Sequence, residues 1–169
     1  RLDLKVKTKV SFAAKSVYRS SVIANSGPLP PKIGAKTTYT VVWEIRNASN
    51  DLQDAQVKAT LPPNVRWENQ TSPADARLTY NLSSQTISWS VGRVAAGTGV
   101  LNPALTASFQ VSILPSSSDL NRSPTILNDS AMTATDTFTG EKINLDANHL
   151  TTEMQQDSLT DSGEWKVVK

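Results

Sequence analysis

Residues 38–47 alternate between apolar and polar side chains, and this alternation constrains the fold more than any other feature of the chain. The two-residue period is that of a strand with one buried face. A large aromatic side chain in the middle of such a strand fills the space between two packed sheets. Turn-forming residues follow at 47–51, so the strand ends in a surface loop. The inward phase of the strand holds Tyr39, Val41, Trp43 and Ile45.

The rest of the chain predicts strands rather than helices. About eight to ten segments have strand character, at the regular spacing that is typical of a sandwich. No segment of a dozen residues keeps a helical period. We therefore predict an all-β fold, an Ig-like β-sandwich of two antiparallel sheets, in one domain over residues 1–154. Residues 155–169 are polar and predict a frayed C-terminal tail, with Trp165, Val167 and Val168 available to dock on a neighbouring surface.

Several segments have more specific interpretations. Residues 2–12 alternate cleanly and form either the first strand or a link to a preceding module, with outward lysines that discourage edge-to-edge pairing. Residues 16–24 predict a second, weaker strand. The proline-rich residues 27–34 predict the crossover from one sheet to the other. Residues 78–91 predict a hairpin, and residues 143–154 predict the last strand.

Composition argues against several classes of function. The formal net charge of +2 over 169 residues is too small to favour a nucleic-acid partner, and basic residues are not interleaved with stacking aromatics. Apolar runs are too short for a membrane span, so we expect no membrane contact by this chain itself. The lack of cysteine removes disulfides, thiol catalysis and thiolate metal sites. Because the first residue is Arg1 rather than Met, we expect a fragment or processed form, so that any export signal or anchor would lie before residue 1.

Framework residues are spread over residues 34–140, among them Gly34, Thr38-Tyr39-Thr40-Val41, Arg46-Asn47 and Leu61-Pro62-Pro63. This set resembles the bacterial conserved-repeat Ig-like domain, a domain of unknown function. That family combines a glycine, a Tyr-Thr-Val strand ending in Asn, an Asp-x-Leu-Pro strand end, a Trp-x-Ile-Gly strand and a late Asn-x-Ala strand. The chain departs from the pattern at Ala59, where an acidic residue is usual, and at Ser130, where alanine is common. The matching positions are Gly34, Thr38-Tyr39-Thr40-Val41, Arg46-Asn47, Val57, Leu61-Pro62-Pro63, Ile87-Ser88-Trp89-Ser90-Val91-Gly92, Gly97, Phe109-Gln110-Val111, Asn128 and Met132.

Two further stretches, residues 11–18 and residues 136–140, are similar to uncharacterised bacterial proteins with a predicted surface location. Those proteins carry an N-terminal membrane anchor before their Ig-like modules. The resemblance implies an exported, extracellular cell-surface protein of the envelope, anchored by a segment before residue 1, of which this chain is a distal module. It supplies no catalytic residues.

The candidate metal site is a calcium site in one loop. Asn50, Asp51 and Asp54 offer the hard oxygen ligands that calcium takes, although their spacing matches no defined calcium loop. Asn and Asp are also the usual turn formers, and we favour that interpretation. The single histidine, His149, has no partner that the sequence identifies, and we interpret it as a surface residue at a strand end.

The candidate ligand-binding residues are Trp67 and Tyr80, which could stack on a sugar ring or pack at the rim of the core. We favour rim packing, and we place Trp43 and Trp89 in the core. Some surface Ig-like domains carry an intramolecular Lys–Asn amide; here it would join Lys5, Lys7 or Lys9 to Asn144 or Asn148. Such a bond needs a desolvated lysine, whereas these lysines are predicted to point outward.

The leading functional hypothesis is a non-enzymatic structural or adhesive module of a bacterial cell-surface protein, acting as spacer or protein-contact surface. Its partners would be other modules of the same chain, or surface proteins of the envelope or a host. One alternative is a carbohydrate-binding module of an exported protein, with a glycan as ligand. Another is a self-assembling or pilus-like subunit that uses its edge strands. A carboxylate-pair glycosidase is disfavoured because no acidic pair has a suitable context.

Overall fold

The computed structural model describes residues 8–169, which fold into two packed antiparallel sheets. Short 3₁₀ helices lie at Ser117–Asp119 and Ser162–Glu164. The described residues form eleven strands, two of them very short, against the eight to ten expected. The strands are β1 (Val10–Val17), β2 (Thr37–Asn47), β3 (Leu52–Thr60), β4 (Val65–Ser72), β5 (Leu78–Asn81), β6 (Thr86–Val94), β7 (Leu105–Ile113), β8 (Thr125–Leu127), β9 (Ser130–Asp136), β10 (Lys142–Ala147) and β11 (Leu150–Thr151).

The strand order is that of an Ig-like sandwich, as predicted. One sheet runs β1-β2-β7-β4, which reproduces the order A-B-E-D of the Ig fold. The other runs β10-β9-β3-β6-β5, and its first three strands reproduce G-F-C. The hairpin β5–β6 is added beyond β3, and β8 pairs with β11 outside the two sheets. The sandwich therefore has two open sides, one between the edges β4 and β5 and the other between β1 and β10.

The core lies between the sheets and is organised by β2. The four inward side chains predicted for this strand are all fully buried, and Trp89 on β6 is buried as well, so these predictions are confirmed. The Trp43 indole N–H donates a hydrogen bond of 3.1 Å to the Ser130 hydroxyl, and both groups are buried. The Ser130 hydroxyl thus satisfies the one polar side-chain atom of the central tryptophan.

The loops at the two ends of the strands form two opposite ends of the sandwich, called here the N-terminal pole and the C-terminal pole. The N-terminal pole consists of the loops 48–51, 95–104 and 137–141, together with Thr8. The C-terminal pole consists of the segments 18–36 and 114–124, the two turns that follow β3 and β5, and the final residues of the chain. The described chain therefore enters at one pole and ends at the other.

Three predictions about connections were wrong. The first described strand begins at Val10, and residues 18–36 form no strand. Since β1 and β2 are neighbours in one sheet, residues 27–34 do not cross between sheets; the crossing falls to the short β2–β3 loop. The final strand breaks at Asn148-His149, where the chain leaves β9 to pair with β8. Residues 2–7 of the predicted first strand lie outside the described residues.

The C-terminal segment (residues 155–169) packs on the sandwich instead of fraying. Val167 and Asp157 are both buried. The backbone N–H of Val168 donates to Pro31, and the N–H of Val167 donates to Arg122, with N···O distances of 2.9 Å. The segment is thus fixed between two loops of the C-terminal pole. Whether residue 154 bounds the folding unit stays a prediction.

Candidate functional site

The two candidate sugar-stacking residues meet at one open side of the sandwich. Trp67 lies on β4 and Tyr80 on β5, the edge strands of opposite sheets. Their rings stack with centroids 5.6 Å apart and an interplanar angle of 14°. Both residues are half-buried and pack against the core. The pair therefore joins the rims of the two sheets where the sandwich would otherwise be open.

A row of aromatic contacts continues from this pair into the core. Trp67 contacts Phe109 at 5.4 Å, and Phe109 contacts Trp43 edge-on at 4.8 Å and 70°. Aromatic pairs of this geometry contribute roughly 0.5–1.5 kcal/mol each beyond the burial of their area. Because Tyr80 covers one face of the Trp67 indole, a sugar that stacked on that face would have to displace the tyrosine. Sugar binding at this pair stays a prediction.

Two of the three candidate calcium ligands, Asn50 and Asp51, are hydrogen-bonded to other groups of the fold, and the third, Asp54, is exposed. The Asp51 carboxylate accepts hydrogen bonds from the Arg93 guanidinium at 2.5 Å and the Ala96 N–H at 2.7 Å. The Ala96 N–H, followed by Arg93, lowers the pKa of Asp51 below its ordinary value. Asn50 donates its amide to Asp136 at 3.0 Å, and Asp54 is exposed on a bulge of β3 with a φ of 54°. Among residues 8–169, no three His, Cys, Asp or Glu side chains converge as metal ligands.

Sequence reasoning missed Asp136, which ties together the N-terminal pole. Its buried carboxylate accepts hydrogen bonds from the Thr8 hydroxyl, the Asn50 amide and the N–H groups of Phe138 and Thr139. Burial raises the pKa of this carboxyl, but the four donors outweigh burial, and the pKa falls well below its ordinary value. The Asp-x-x-x-Gly turn at 136–140 signals the local bonds. It carries no information about Thr8, 128 positions away.

Asp157 has the corresponding role at the C-terminal pole, and it was also missed. Its buried carboxylate accepts hydrogen bonds from the backbone N–H groups of Tyr18 at 2.7 Å and Arg19 at 2.8 Å, and a local one from Leu159 at 3.1 Å. Burial raises the pKa of this carboxyl, but these donors reverse the effect and the net shift is downward. The arrangement is a structural clamp, since every donor is a backbone or side-chain group of the fold.

An ion pair reinforces this clamp. Arg19 binds the Glu164 carboxylate in a bidentate manner, with N···O distances of 2.6 and 2.7 Å, and donates to the Leu159 carbonyl at 3.0 Å. The hydrogen bond from Arg19, followed by the bond from the Asp161 N–H, lowers the pKa of Glu164 to about 2. Together Arg19 and Asp157 hold the C-terminal segment against the loop after β1.

His149 borders a polar groove on the other open side. The groove lies between β1 and residues 148–156 and is lined by Lys15, Ser16 and Glu153 among others. Ser16 is buried, and its hydroxyl donates to the carbonyl oxygens of Thr151 and Glu153 at 3.3 and 3.4 Å, so it joins the two walls of the groove. The His149 Nδ1 lies 3.5 Å from Asp129, and both side chains are exposed. A surface position for His149 was predicted, and the structure shows it.

The predicted residues for a Lys–Asn amide are not desolvated where the structure describes them. Lys9, Asn144 and Asn148 are all exposed. Lys5 and Lys7 lie outside the described residues. Among residues 8–169, none of the lysines predicted for this amide is buried.

Comparison with known proteins gives weak similarities only. No family model matches the chain, and no curated protein matches it. Among solved structures, a variant of the major pilin subunit BcpA of Bacillus cereus has a TM-score of 0.49 and 11% identity over 85% of this chain and 40% of that chain. The major pilin SpaD of Corynebacterium diphtheriae has a TM-score of 0.47 and 12% identity over 86% and 35%. A GH20 exo-β-N-acetylglucosaminidase of Vibrio harveyi has a TM-score of 0.39 and 12% identity over 86% and 18%.

The chain thus spans less than half the length of each of these three structures. Likeness at this level carries no argument about function, because unrelated activities share the sandwich architecture. The Ig-like assignment rests instead on the order of the strands in the two sheets. No helix in residues 8–169 has the length and apolar character needed to cross a membrane.

Proposed function

We propose that the chain is a non-enzymatic structural module of a bacterial cell-surface protein, acting as a spacer that bears load between its two poles. The resemblance of its framework residues to the conserved-repeat Ig-like domain supports the surface location. The observation that carries the load-bearing role is where the described residues begin and end: Thr8, the first of them, is bonded at one pole, and Val168 at the other.

A pull between these ends runs parallel to the strands. β1 pairs with β2 in an uninterrupted antiparallel register from Val10↔Asn47 to Val17↔Thr40. The interstrand hydrogen bonds of such a ladder are perpendicular to the strands. A force along the strands therefore loads the whole ladder at once, in shear, instead of opening it one bond at a time. This is the arrangement a spacer under tension requires.

Both ends of the described chain have their own anchors. At the N-terminal pole the N–H of Ala48 donates to Lys9 at 2.9 Å, which extends the β1–β2 ladder, and Thr8 bonds to Asp136. At the C-terminal pole Val167 and Val168 are bonded on both sides, to residues 121–122 and 31–33. These bonds transmit force from the chain ends into the two sheets.

Force spectroscopy on tandem copies of the chain tests the proposal. The bond from the Ala48 N–H to the Lys9 carbonyl shows that Lys9 directs its backbone groups toward β2. Since this direction alternates along the strand, the backbone N–H of Ala13 points toward β2, whereas that of Ala14 points toward the open side. Ala13→Pro removes a bond of the loaded ladder, so we expect the force needed to unfold the module to fall by roughly half or more.

Ala14→Pro is the matched control, because its N–H is not part of the ladder and proline is tolerated on the free side of an edge strand. We expect this variant to unfold near the force of the unmodified module. Equal forces for both variants, or an unmodified module that opens at forces too low to resolve, would contradict the load-bearing proposal.

A further inference from the structure

Three of the four sheet edges carry a feature that hinders pairing with another strand. β4 has an irregular register between Trp67 and Thr71, with Asn69 at a φ of 55°. β5 has only four residues. The second half of β1 is bordered by residues 148–156 through the bonds of Ser16. Bulges, short length and covering are the usual protections of an edge strand.

β10 is the exception. In the described part of the chain it pairs with β9 on one side and with no strand on the other. Its register with β9 is regular over all six residues, without a bulge, and the strand contains no proline. Its exposed face carries Lys142, Asn144 and Asp146, and its other face carries Ile143 and Leu145, which pack on the core. The strand is thus a straight edge with mixed charge.

The direction of the backbone groups of β10 follows from its pairing. The N–H of Asp136 donates to the carbonyl of Glu141 at 2.9 Å, so this pair belongs to the hydrogen-bonded class of the β9–β10 ladder. Because hydrogen-bonded and non-hydrogen-bonded pairs alternate along an antiparallel ladder, Ile143 and Leu145 direct their backbone groups toward β9. Lys142, Asn144 and Asp146 direct theirs toward the open edge.

This alternation restricts how a second β10 could pair with the first. A residue whose backbone groups point toward the open edge must pair with a residue of the other strand whose backbone groups also point toward its open edge. Asn144 belongs to this class and Leu145 does not, so every register that pairs these two residues is excluded. The register centred on Asn144 uses all three outward residues of each strand. In this register Lys142 of each strand lies opposite Asp146 of the other, which gives two pairs of opposite charge. Ile143 of each strand likewise lies opposite Leu145 of the other, which gives two apolar pairs. Opposite charges and apolar residues are the favourable cross-strand neighbours.

We propose that β10 is a self-association surface, on which two copies of the chain pair antiparallel through Lys142–Asp146 in a register centred on Asn144. The charge complementarity of the strand with itself argues for a second copy as the partner. The two five-stranded sheets become one continuous ten-stranded sheet across a two-fold axis. The inference goes beyond the proposed spacer role and does not depend on it.

The symmetry of this contact determines how many copies of the chain assemble. Each copy contributes the same strand, so the interface is isologous and closes at two copies instead of growing into a filament. Lys142, whose ammonium now donates to the Thr135 hydroxyl at 2.8 Å, turns across the new strand boundary toward the partner's Asp146. The contact would align two modules side by side.

Sedimentation equilibrium of the complete 169-residue chain, over a concentration series up to about 1 mM, tests the proposal. We expect a monomer–dimer equilibrium without larger species. Asp146→Lys places lysine opposite lysine in both charge pairs, so we expect the dissociation constant to rise at least about tenfold. The double variant Lys142→Asp with Asp146→Lys restores opposite charges in reversed order, and we expect its dissociation constant to return to within about threefold of the original.

Asp75→Lys is the control for net charge, because Asp75 lies in an exposed loop away from β10. We expect it to dimerise like the unmodified chain, and the melting temperature of each variant reports whether it folds. A monomer at all concentrations would overturn the proposal. So would an unaffected Asp146→Lys variant, a double variant that fails to recover, or a dimer that depends on residues 1–7 and not on the charge swap.

Discussion

At the residue scale, a side chain far away in the sequence supplies the hydrogen-bond partner of the central tryptophan. Trp43 has one polar atom, and Ser130, 87 positions later, accepts its hydrogen bond inside the sandwich. The indole could not be buried in this position without a partner except at a cost in stability. Ser130 is therefore explained by its role as the hydrogen-bond partner of Trp43.

Ser130→Ala removes this partner and leaves a buried N–H without an acceptor. We expect the free energy of unfolding to fall by about 1–3 kcal/mol, measured by urea denaturation. Ser90→Ala is the matched control, since Ser90 is an exposed serine on β6 of the same sheet. A Ser130→Ala variant no less stable than the Ser90→Ala variant would show that the indole does not depend on this hydroxyl.

At the element scale, the C-terminal segment is held by a carboxylate rather than by a strand. Asp157 accepts backbone hydrogen bonds from the loop after β1, and the Arg19–Glu164 ion pair lies beside it. The pKa of Asp157 is lowered in the folded state. Its contribution to stability is therefore fully present above the ordinary pKa of an aspartate, about 3.9, and is lost as the pH falls through the lower folded value.

Asp157→Asn removes the charge and turns an amide N–H₂ toward backbone donors. We expect a loss of about 2–3 kcal/mol in the free energy of unfolding at neutral pH. Below about pH 4 the difference in unfolding free energy between this variant and the unmodified chain should shrink, because Asp157 of the unmodified chain becomes protonated, first in the unfolded state. Urea denaturation over a pH series measures both effects, with Asp75→Asn as an exposed control. A difference that stays constant down to about pH 2 would contradict the clamp.

At the scale of the whole molecule, the two open sides of the sandwich differ. The β4–β5 side is closed by the Trp67–Tyr80 stack, whereas the β1–β10 side carries the polar groove and a straight edge strand. Aromatic packing thus stabilises one side, and contacts with other molecules are expected on the other. The predicted sugar site and the predicted calcium loop both fall on groups that the fold already uses for its own contacts.

A thermal-shift series with cell-wall glycans, simple sugars and calcium tests whether such ligands bind. A ligand that binds only the folded state raises the melting temperature, and the rise grows with the logarithm of the ligand concentration once this exceeds the dissociation constant. For a spacer module we expect no dose-dependent shift. A rise with a glycan that disappears in Trp67→Ala would favour the carbohydrate-binding alternative. A calcium-dependent rise that disappears in Asp51→Asn would establish the loop at Asn50–Asp51 as a metal site.

The sequence by itself determined the class of fold and which face of β2 is buried. Alternation with a period of two is a local property, because adjacent residues of a strand face opposite sides, and burial selects one side. It therefore identified the inward residues of β2 and the hairpin of β5 and β6. Prolines likewise marked residues 27–34 as irregular, but they could not show that the chain returns to the same sheet.

Only the tertiary structure decided which groups meet across long sequence separations. Tyr18 and Arg19, which donate to Asp157, lie 138–139 positions away, and Trp67 and Tyr80 meet only because their strands form the edges of opposite sheets. A polar or aromatic residue in a turn or strand looks the same in sequence whether it binds a ligand or fastens two parts of the fold. The difference depends on which donors and rings the packing of the sheets brings within contact, and no local pattern encodes that.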